Sequence, residues 1–252
     1  MALKDRLETI REIISEKSRV QVSELSQLFD VTEETIRRDL EKLEAQGFVS
    51  RTYGGAIVNE NKLTEGIHYF KRTAINAEAK QKIAEKAVAY IENSFTFGLD
   101  SSTTAIEVVR LLKSRDDITV ITNSATALTE LALSKMNIVS TGGILNKHSM
   151  SLQGNTTKQA LENYNIDIAL ISCKCLSLTQ GASDSNELES DVKKAIIAHA
   201  NKVVLLVDHT KFDKVTLVKI VDLAQINLIV TDQEPSKEWK EHLAALSVDL
   251  VY

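Results

Sequence analysis

The sequence predicts a two-domain α/β protein. A small N-terminal winged helix-turn-helix, residues 1–57, is followed by a linker, 58–75, and a larger parallel-sheet α/β domain, 76–252. Three observations carry this. Residues 3–47 hold three short amphipathic patterns at helical spacing, followed by a Gly-Gly turn between alternating residues. Residues 58–75 are polar and weakly patterned. From 76 onward, apolar strand-like runs alternate with helical ones, the pattern of a parallel sheet covered on both faces.

The bulk numbers agree. A chain of 252 residues is ample for two domains and a sizeable core. At 43% hydrophobic and 26% charged it reads as an ordinary globular protein, which excludes global disorder. No apolar run approaches the roughly 20 residues of a membrane helix. The N-terminal stretch MALKDRLETIREII is charged throughout and does not read as a signal peptide. The two cysteines, Cys173 and Cys175, exclude a disulfide framework and suit a reducing cytoplasm. A net charge of −5 means that any nucleic-acid binding must come from a local patch.

Taken in order, the first helix presents Leu3, Leu7, Ile10 and Ile14 on one face. Ser18–Val22 breaks the pattern. A second helix is expected from Ser23 as its N-cap, burying Leu25, Leu28 and Phe29. Asp30-Val31 makes a tight turn. A third helix is expected from Thr32 as its N-cap, with Ile36, Leu40 and Leu43 inward, ending at Gly47. Two short helices joined by such a turn are a helix-turn-helix. At 100° per residue, Glu34, Arg37, Arg38 and Glu41 lie opposite Ile36, with Thr35 and Lys42 on one flank. Thr35, Arg37 and Arg38 therefore project where a recognition helix meets base edges and phosphates. Residues 48–57 then read as a hairpin wing, with Arg51, Tyr53 and Gly54 at its tip. Residues 1–57 hold nine Lys+Arg and eleven Asp+Glu, so the case rests on where the basic groups stand, not on their number.

In the second domain, strands are expected at 94–99, 118–122, 137–141, 167–172, 203–207, 228–231 and, more weakly, 248–251. Helices are expected at 77–92, 104–113, 125–134, 156–163, 187–200 and 237–246. Ligands of parallel sheets bind beyond the C-terminal strand ends. Here those ends read Asp100-Ser101-Ser102-Thr103-Thr104, Thr122-Asn123-Ser124, Gly142-Gly143, Ser172-Cys173-Lys174-Cys175 and Asp208-His209-Thr210-Lys211. Hydroxyls opening a helix can cradle a phosphate. Lys174, Lys193 and Lys211 supply positive charge, and Asp208 and Asn123 suit sugar hydroxyls. Cys173-x-Cys175 lacks the second pair of a zinc site, and the histidines show no ligand spacing, so no metal or cofactor is expected.

The segment VTEETIRRDLEKLEAQGFVSRTYGGA, residues 31–56, resembles the DNA-binding signature of DeoR-type (DeoR/GlpR) transcriptional regulators. Thr32 replaces the commoner Ser and keeps the cap. GLDSSTTA, TNSA, TGGIL, the Ser-Cys-Lys strand end, ELESDVKKAI and DHTKF resemble that family's effector domain in order and spacing. That domain is similar to folds of the ribose-5-phosphate isomerase type. The resemblance covers nearly the whole chain. It implies a repressor of a carbohydrate-utilisation operon with no catalytic residues. Its partners are double-stranded operator DNA and a sugar-phosphate effector, and two-fold operators imply a homo-oligomer built of dimers. It implies an effector site at Asp100–Thr104, Thr122–Ser124, Gly142-Gly143, Lys193, Asp208 and Lys211. Cys175 departs from the family, which more often has Gly there, and its larger side chain restricts close approach beside Lys174. The alternative is a sugar-phosphate isomerase or deaminase-like enzyme with an appended interaction domain. Such an enzyme has no use for TIRRDL followed by a wing.

Overall fold

Apolar residues at helical spacing close the core of the first unit. The computed structural model describes residues 6–7, 9–10, 13–14, 19–45, 49–58, 69–91 and 94–252, and the chain divides into the units Met1–Glu65 and Gly66–Tyr252. In the first unit, residues 6–7, 9–10 and 13–14 are helical, with Ile10 and Ile14 buried. Strand β1, Arg19–Gln21, leads directly into a helix, Val22–Phe29, and Asp30 in the left-handed region (φ 50°) turns the chain toward a third helix, Glu33–Ala45. Strands β2, Val49–Thr52, and β3, Gly55–Val58, form the wing. Val20, Val22, Leu25, Ile36, Leu40, Leu43, Val49 and Ala56 pack with Ile10 and Ile14. Leu3, Gly47 and Phe48 lie outside the described residues.

Three local expectations change. The second helix begins at Val22 after Gln21, so Ser23 lies inside its first turn and is not its cap. Leu28 is 63% exposed, because the inward stripe runs through Val22 and Leu25 to the partly buried Phe29. The break at 18–22 contains β1, which pairs antiparallel with β3. That pairing requires Gly55, since a Cβ there would sit 2.1 Å from the Val20 carbonyl oxygen.

In the second unit all seven predicted strands form one parallel sheet. They are β4 (Thr96–Leu99), β5 (Thr119–Thr122), β6 (Asn137–Ser140), β9 (Ile166–Ile171), β12 (Ala200–Leu206), β14 (Leu228–Val230) and β15 (Asp249–Val251), in the order β15-β14-β12-β9-β4-β5-β6. Alternation assigns the two faces. Ile168 and Leu170 join a core with Ile83, Ala87, Ile106 and Val109, while Ala169 and Ile171 join another with Val192, Ile196 and Trp239. The helices Ala77–Ile91 and Thr103–Leu111 thus cover one face, and Glu187–Ala198 and Lys237–Ala245 the other.

Short elements escaped the sequence reading. Strands β7 (Ile144–Asn146) and β8 (Ser151–Gln153) form a hairpin, and β10 (Cys175–Ser177), β11 (Gly181–Asp184) and β13 (Val218–Val221) form a second, antiparallel sheet. Of the expected linker 58–75, residues 59–68 lie outside the described residues, His68 among them, and Tyr69–Ala74 is a helix. Tyr69 is 1% exposed and packs into the core of the second unit, so that unit's fold begins before residue 76.

Candidate functional sites

The recognition helix Glu33–Ala45 is set by its cap and by one buried charge. The Thr35 N–H donates to Thr32 Oγ1 at 3.2 Å, which satisfies an otherwise unpaired donor of the first turn. Thr32→Ala is expected to destabilise this unit by about 0.5–2 kcal/mol. Denaturant melts that coincide for both proteins would show that the cap contributes nothing. Asp39, 1% exposed, accepts from Arg6 Nε at 2.7 Å and so ties the first helical segment to the recognition helix. Sequence reading missed it, although three residues after Ile36 is an inward position.

Arg37 and Arg38 are exposed, and Thr35 is partly so. Each arginine at this face already holds a carboxylate. Arg37 pairs with Glu33 at 2.7 Å, Arg38 with Glu34 at 3.4 Å, and Arg51 with Glu41 at 2.8 Å and Glu44 at 2.7 Å. Exposed pairs of this kind are individually weak, so a phosphate or guanine edge displaces the carboxylate at small cost. The Arg51 N–H also donates to Glu44 Oε1 at 3.0 Å, which anchors the wing to the recognition helix. These hydrogen bonds hold Glu44 below the usual carboxylate range. At the tip, Tyr53 is fully exposed beside Gly54, whose φ of 89° makes the turn.

In the second unit, β4 has β5 on one side and β9 on the other, so the chain order reverses between β4 and β9. In open parallel sheets ligands bind at such a switch point, beyond the C-terminal strand ends. Asp100–Thr104 follows β4, Ser172 follows β9, Asp208 follows β12 and Asn123 follows β5. All are buried; Asp100 accepts from the Ser172 N–H, and Lys211 reaches Ser172 and Asp208. The Ser102 Oγ caps the helix Thr103–Leu111 by accepting from the Ala105 N–H at 3.2 Å. Ser101, Thr103 and Thr104 bring three more hydroxyls, and the remaining first-turn N–H groups favour an anion there.

Two of the expected ligand groups are committed to the protein itself. The Lys193 Nζ donates to the Ser172 carbonyl at 2.7 Å and to Asp184 at 2.6 Å, and stands 3.3 Å from Asp100. Two of its three N–H donors are therefore used by the protein, its charge is paired with Asp184 and Asp100, and Lys193 is buried. Burial alone would lower its pKa, but Asp184 and Asp100 outweigh it and raise it. Burial likewise pushes Asp184 up, and Lys193 more than reverses the effect. The Asp100 carboxylate accepts from the Ser102 N–H at 3.0 Å and the Ser172 N–H at 3.2 Å. Asp100, Asp184 and Lys193 form the floor that joins β4 to β9. Asn186 caps the acid-rich start of Glu187–Ala198 by accepting from the Glu189 N–H at 3.0 Å.

Above that floor, Lys211 Nζ donates to Ser172 Oγ at 2.9 Å and stands 3.6 Å from Asp208. Burial raises the pKa of Asp208, while Lys211 and hydrogen bonds from Thr210 and Asn76 give a net lowering. The Thr122 hydroxyl donates to the Leu99 carbonyl at 2.8 Å and Ser124 Oγ caps Ala127 at 3.1 Å, so both hold the frame. Asn123 differs. Its Nδ2 donates to the Leu152 carbonyl at 3.0 Å, and its Oδ1 is buried without a partner, which suits a ligand hydroxyl. Gly142 and Gly143 both have positive φ, and a Cβ on Gly143 would meet Thr157 Oγ1 at 2.1 Å. Lys174 is exposed and donates to Ser185 Oγ at 3.2 Å. Burial pushes the Cys173 thiol up to about 12. Among the described residues, no group of three His, Cys, Asp or Glu could hold a metal ion. No helix among them is long and apolar enough to cross a membrane.

Sequence reading also missed Arg72, Asn76 and Lys80. Asn76 Nδ2 donates to Asp208 Oδ1 at 3.2 Å and to Thr210 Oγ1 at 3.3 Å. Lys80, 5% exposed, donates to the carbonyls of Ile75 at 2.5 Å and of Arg72. Burial, then the Lys211 charge, lowers its pKa to about 8.

A DNA-reading helix with a wing, joined to a sensor built on a parallel-sheet crevice, defines a ligand-responsive transcriptional regulator. Family comparison gives the same result. Residues 6–62 match the DeoR-like helix-turn-helix domain, and residues 75–233 match the DeoR C terminal sensor domain. The chain belongs to the DeoR family. It is 38% identical over 233 residues to the uncharacterised HTH-type transcriptional regulator YulB of Bacillus subtilis, covering 92% of this chain and 90% of that one. It is 30% identical to a putative aga operon transcriptional repressor of Escherichia coli O157:H7, covering 98% and 93%. It is 34% identical to an L-fucose operon activator of Haemophilus influenzae, covering 90% and 91%. Among solved structures, a D-ribose-5-phosphate isomerase in complex with phospho-erythronic acid aligns over 54% of each chain, at 20% identity and a TM-score of 0.41.

Proposed function

We propose that this protein represses a carbohydrate-utilisation operon in the cytoplasm and leaves its operator when a phosphorylated sugar binds the sensor crevice. One observation carries the reading. The switch point of the sheet gathers a capped helix N-terminus, Lys211 and Lys80 around hydroxyls and the unpartnered Asn123 Oδ1. Fixed N–H groups and ammonium charge recognise a phosphate, and the neutral polar groups suit a polyol. The aga relative supports repression and the fucose relative supports sugar control; their opposite signs make the direction of regulation part of the proposal. Operator palindromes supply the reason to expect dimers, or multiples of them.

The test is a thermal-shift screen of the full chain against a panel of sugar phosphates and the free sugars. A ligand that binds only the native state raises its melting point. Stabilisation by a sugar phosphate but not by its free sugar supports the reading. Stabilisation by free sugars alone, or turnover of a bound sugar phosphate, contradicts it. At the DNA face, Arg38→Ala is expected to weaken operator binding and, where Arg38 reads a base, to relax preference at that position by about 1–3 kcal/mol. An anisotropy titration with unchanged affinity and unchanged sequence preference would exclude Arg38 from the interface.

A further inference from the structure

We propose that Lys80 and Lys211 together take the effector's phosphate, and that Lys80 carries the signal because in the free protein it holds the end of the helix Tyr69–Ala74. The inference rests on the sugar-phosphate reading above and adds the residue and contact through which that site acts.

The geometry is local. Residues 59–68 connect the wing to Tyr69, so the helix Tyr69–Ala74 is where the chain enters the sensor unit. Its last turn leaves carbonyls without intrahelical donors. Lys80, from the next helix, donates to two carbonyls there, those of Arg72 and Ile75. A third Lys80 proton remains. Asn76, held at φ 51°, pins the junction to Asp208 and Thr210. The same short helix carries an unpartnered buried donor, Arg72 Nε, with the guanidinium 5.7 Å from the centre of the Tyr69 ring.

Charge makes this arrangement responsive. Lys211, Asp208, Arg72 and Glu107 face Lys80, so three cations with Lys80 included meet two carboxylates. Lys80 is buried and Lys211 only partly so, and burial together with the Lys211 charge disfavours the charged form of Lys80. A phosphate between them removes that repulsion and competes with the Arg72 and Ile75 carbonyls for the Lys80 protons. Lys80 turning to the anion frees the end of Tyr69–Ala74, and Arg72 Nε stands ready as a further donor. The ligand then acts on the segment that leads to the DNA-binding unit, as coupling requires a contact that differs between the two states.

The experiment uses the full chain with inorganic phosphate as the probe, against chloride of equal ionic strength. Phosphate is expected to raise the melting temperature and to speed hydrogen exchange of the amides of 69–76. Lys80→Met abolishes both responses and leaves that segment fast-exchanging throughout, while Lys80→Arg retains the melting shift. In the wild type the phosphate shift weakens as pH rises through about 8, because Lys80 loses its charge. Slower or unchanged exchange at 69–76 on phosphate addition overturns the proposal, and does so in the wild type even if Lys80→Met fails to fold. A sugar phosphate found in the screen separates the two levels. Operator release by it in wild type and in Lys80→Met at the same concentration retains the sensing function and defeats the role of Lys80. No release by any sugar phosphate in the wild type defeats the sensing function itself. The proposal expects release in Lys80→Met only at about tenfold higher concentration or above, within the usual range of such couplings.

Discussion

Lys193→Met is expected to cost the sensor unit about 3–5 kcal/mol, a large share of a domain's stability. The substitution preserves volume but leaves the Asp100 and Asp184 carboxylates buried without their cation. The pH dependence distinguishes this from a packing defect. In the wild type, Asp184 titrates below its ordinary value. Its stabilisation is therefore present above the ordinary aspartate pKa and is lost as pH falls through the native one. In the variant, burial is opposed only by the Ser185 N–H and the Lys211 charge, so Asp184 rises, and its cost is present at neutral pH and relieved on acidification. The stability gap between the two proteins should narrow as pH is lowered from 7 toward 4. Denaturant melts across that range decide it, and a gap that is small or constant would show that Lys193 is not the cation of this floor.

Asp39→Ala is expected to cost the N-terminal unit a comparable amount, about 3–5 kcal/mol, because it strands Arg6, whose side chain is 12% exposed. A unit of this size has little stability in reserve. The loss should abolish operator binding, although Asp39 is 1% exposed and faces away from the DNA-reading side. The sensor unit should melt unchanged. Full operator affinity in Asp39→Ala, with an unaltered melt, would exclude a structural role for the pair.

The two predictions mark where the sequence was legible and where it was not. The inner parallel strands stand out as apolar runs, since strands buried on both faces need little polar alternation, while the edge strand β15, partly exposed, is the weaker signal. The order of those strands is set by crossovers rather than by any local pattern, so the switch point between β4 and β9 appears only in the structure. The strands β1, β7, β8 and β10, three residues each, carry neither a period nor an extended apolar run. Within the crevice, the hydroxyl-rich strand ends were readable as a group. Which members face a ligand was not, because Lys193 and Asp100 find partners far away in the chain. Asp39 and Lys80 are a different case. Three positions after Ile36 and three before Ile83 respectively, both lie on the buried stripe of an amphipathic helix. Helical phase could have marked both as charges in the core, where a charge needs a partner, but the apolar stripe was read without them.

The central claim is that occupation of the strand-end crevice by a sugar phosphate and occupation of the operator by the wing and recognition helix oppose each other. The most direct measurement is reciprocal titration of the full chain. Operator affinity is measured with and without a saturating sugar phosphate found in the screen, and sugar-phosphate affinity with and without saturating operator. The account predicts that each ligand weakens the other by the same factor, of about 5–150-fold. Independent binding of the two ligands, with no change in either affinity, would contradict it.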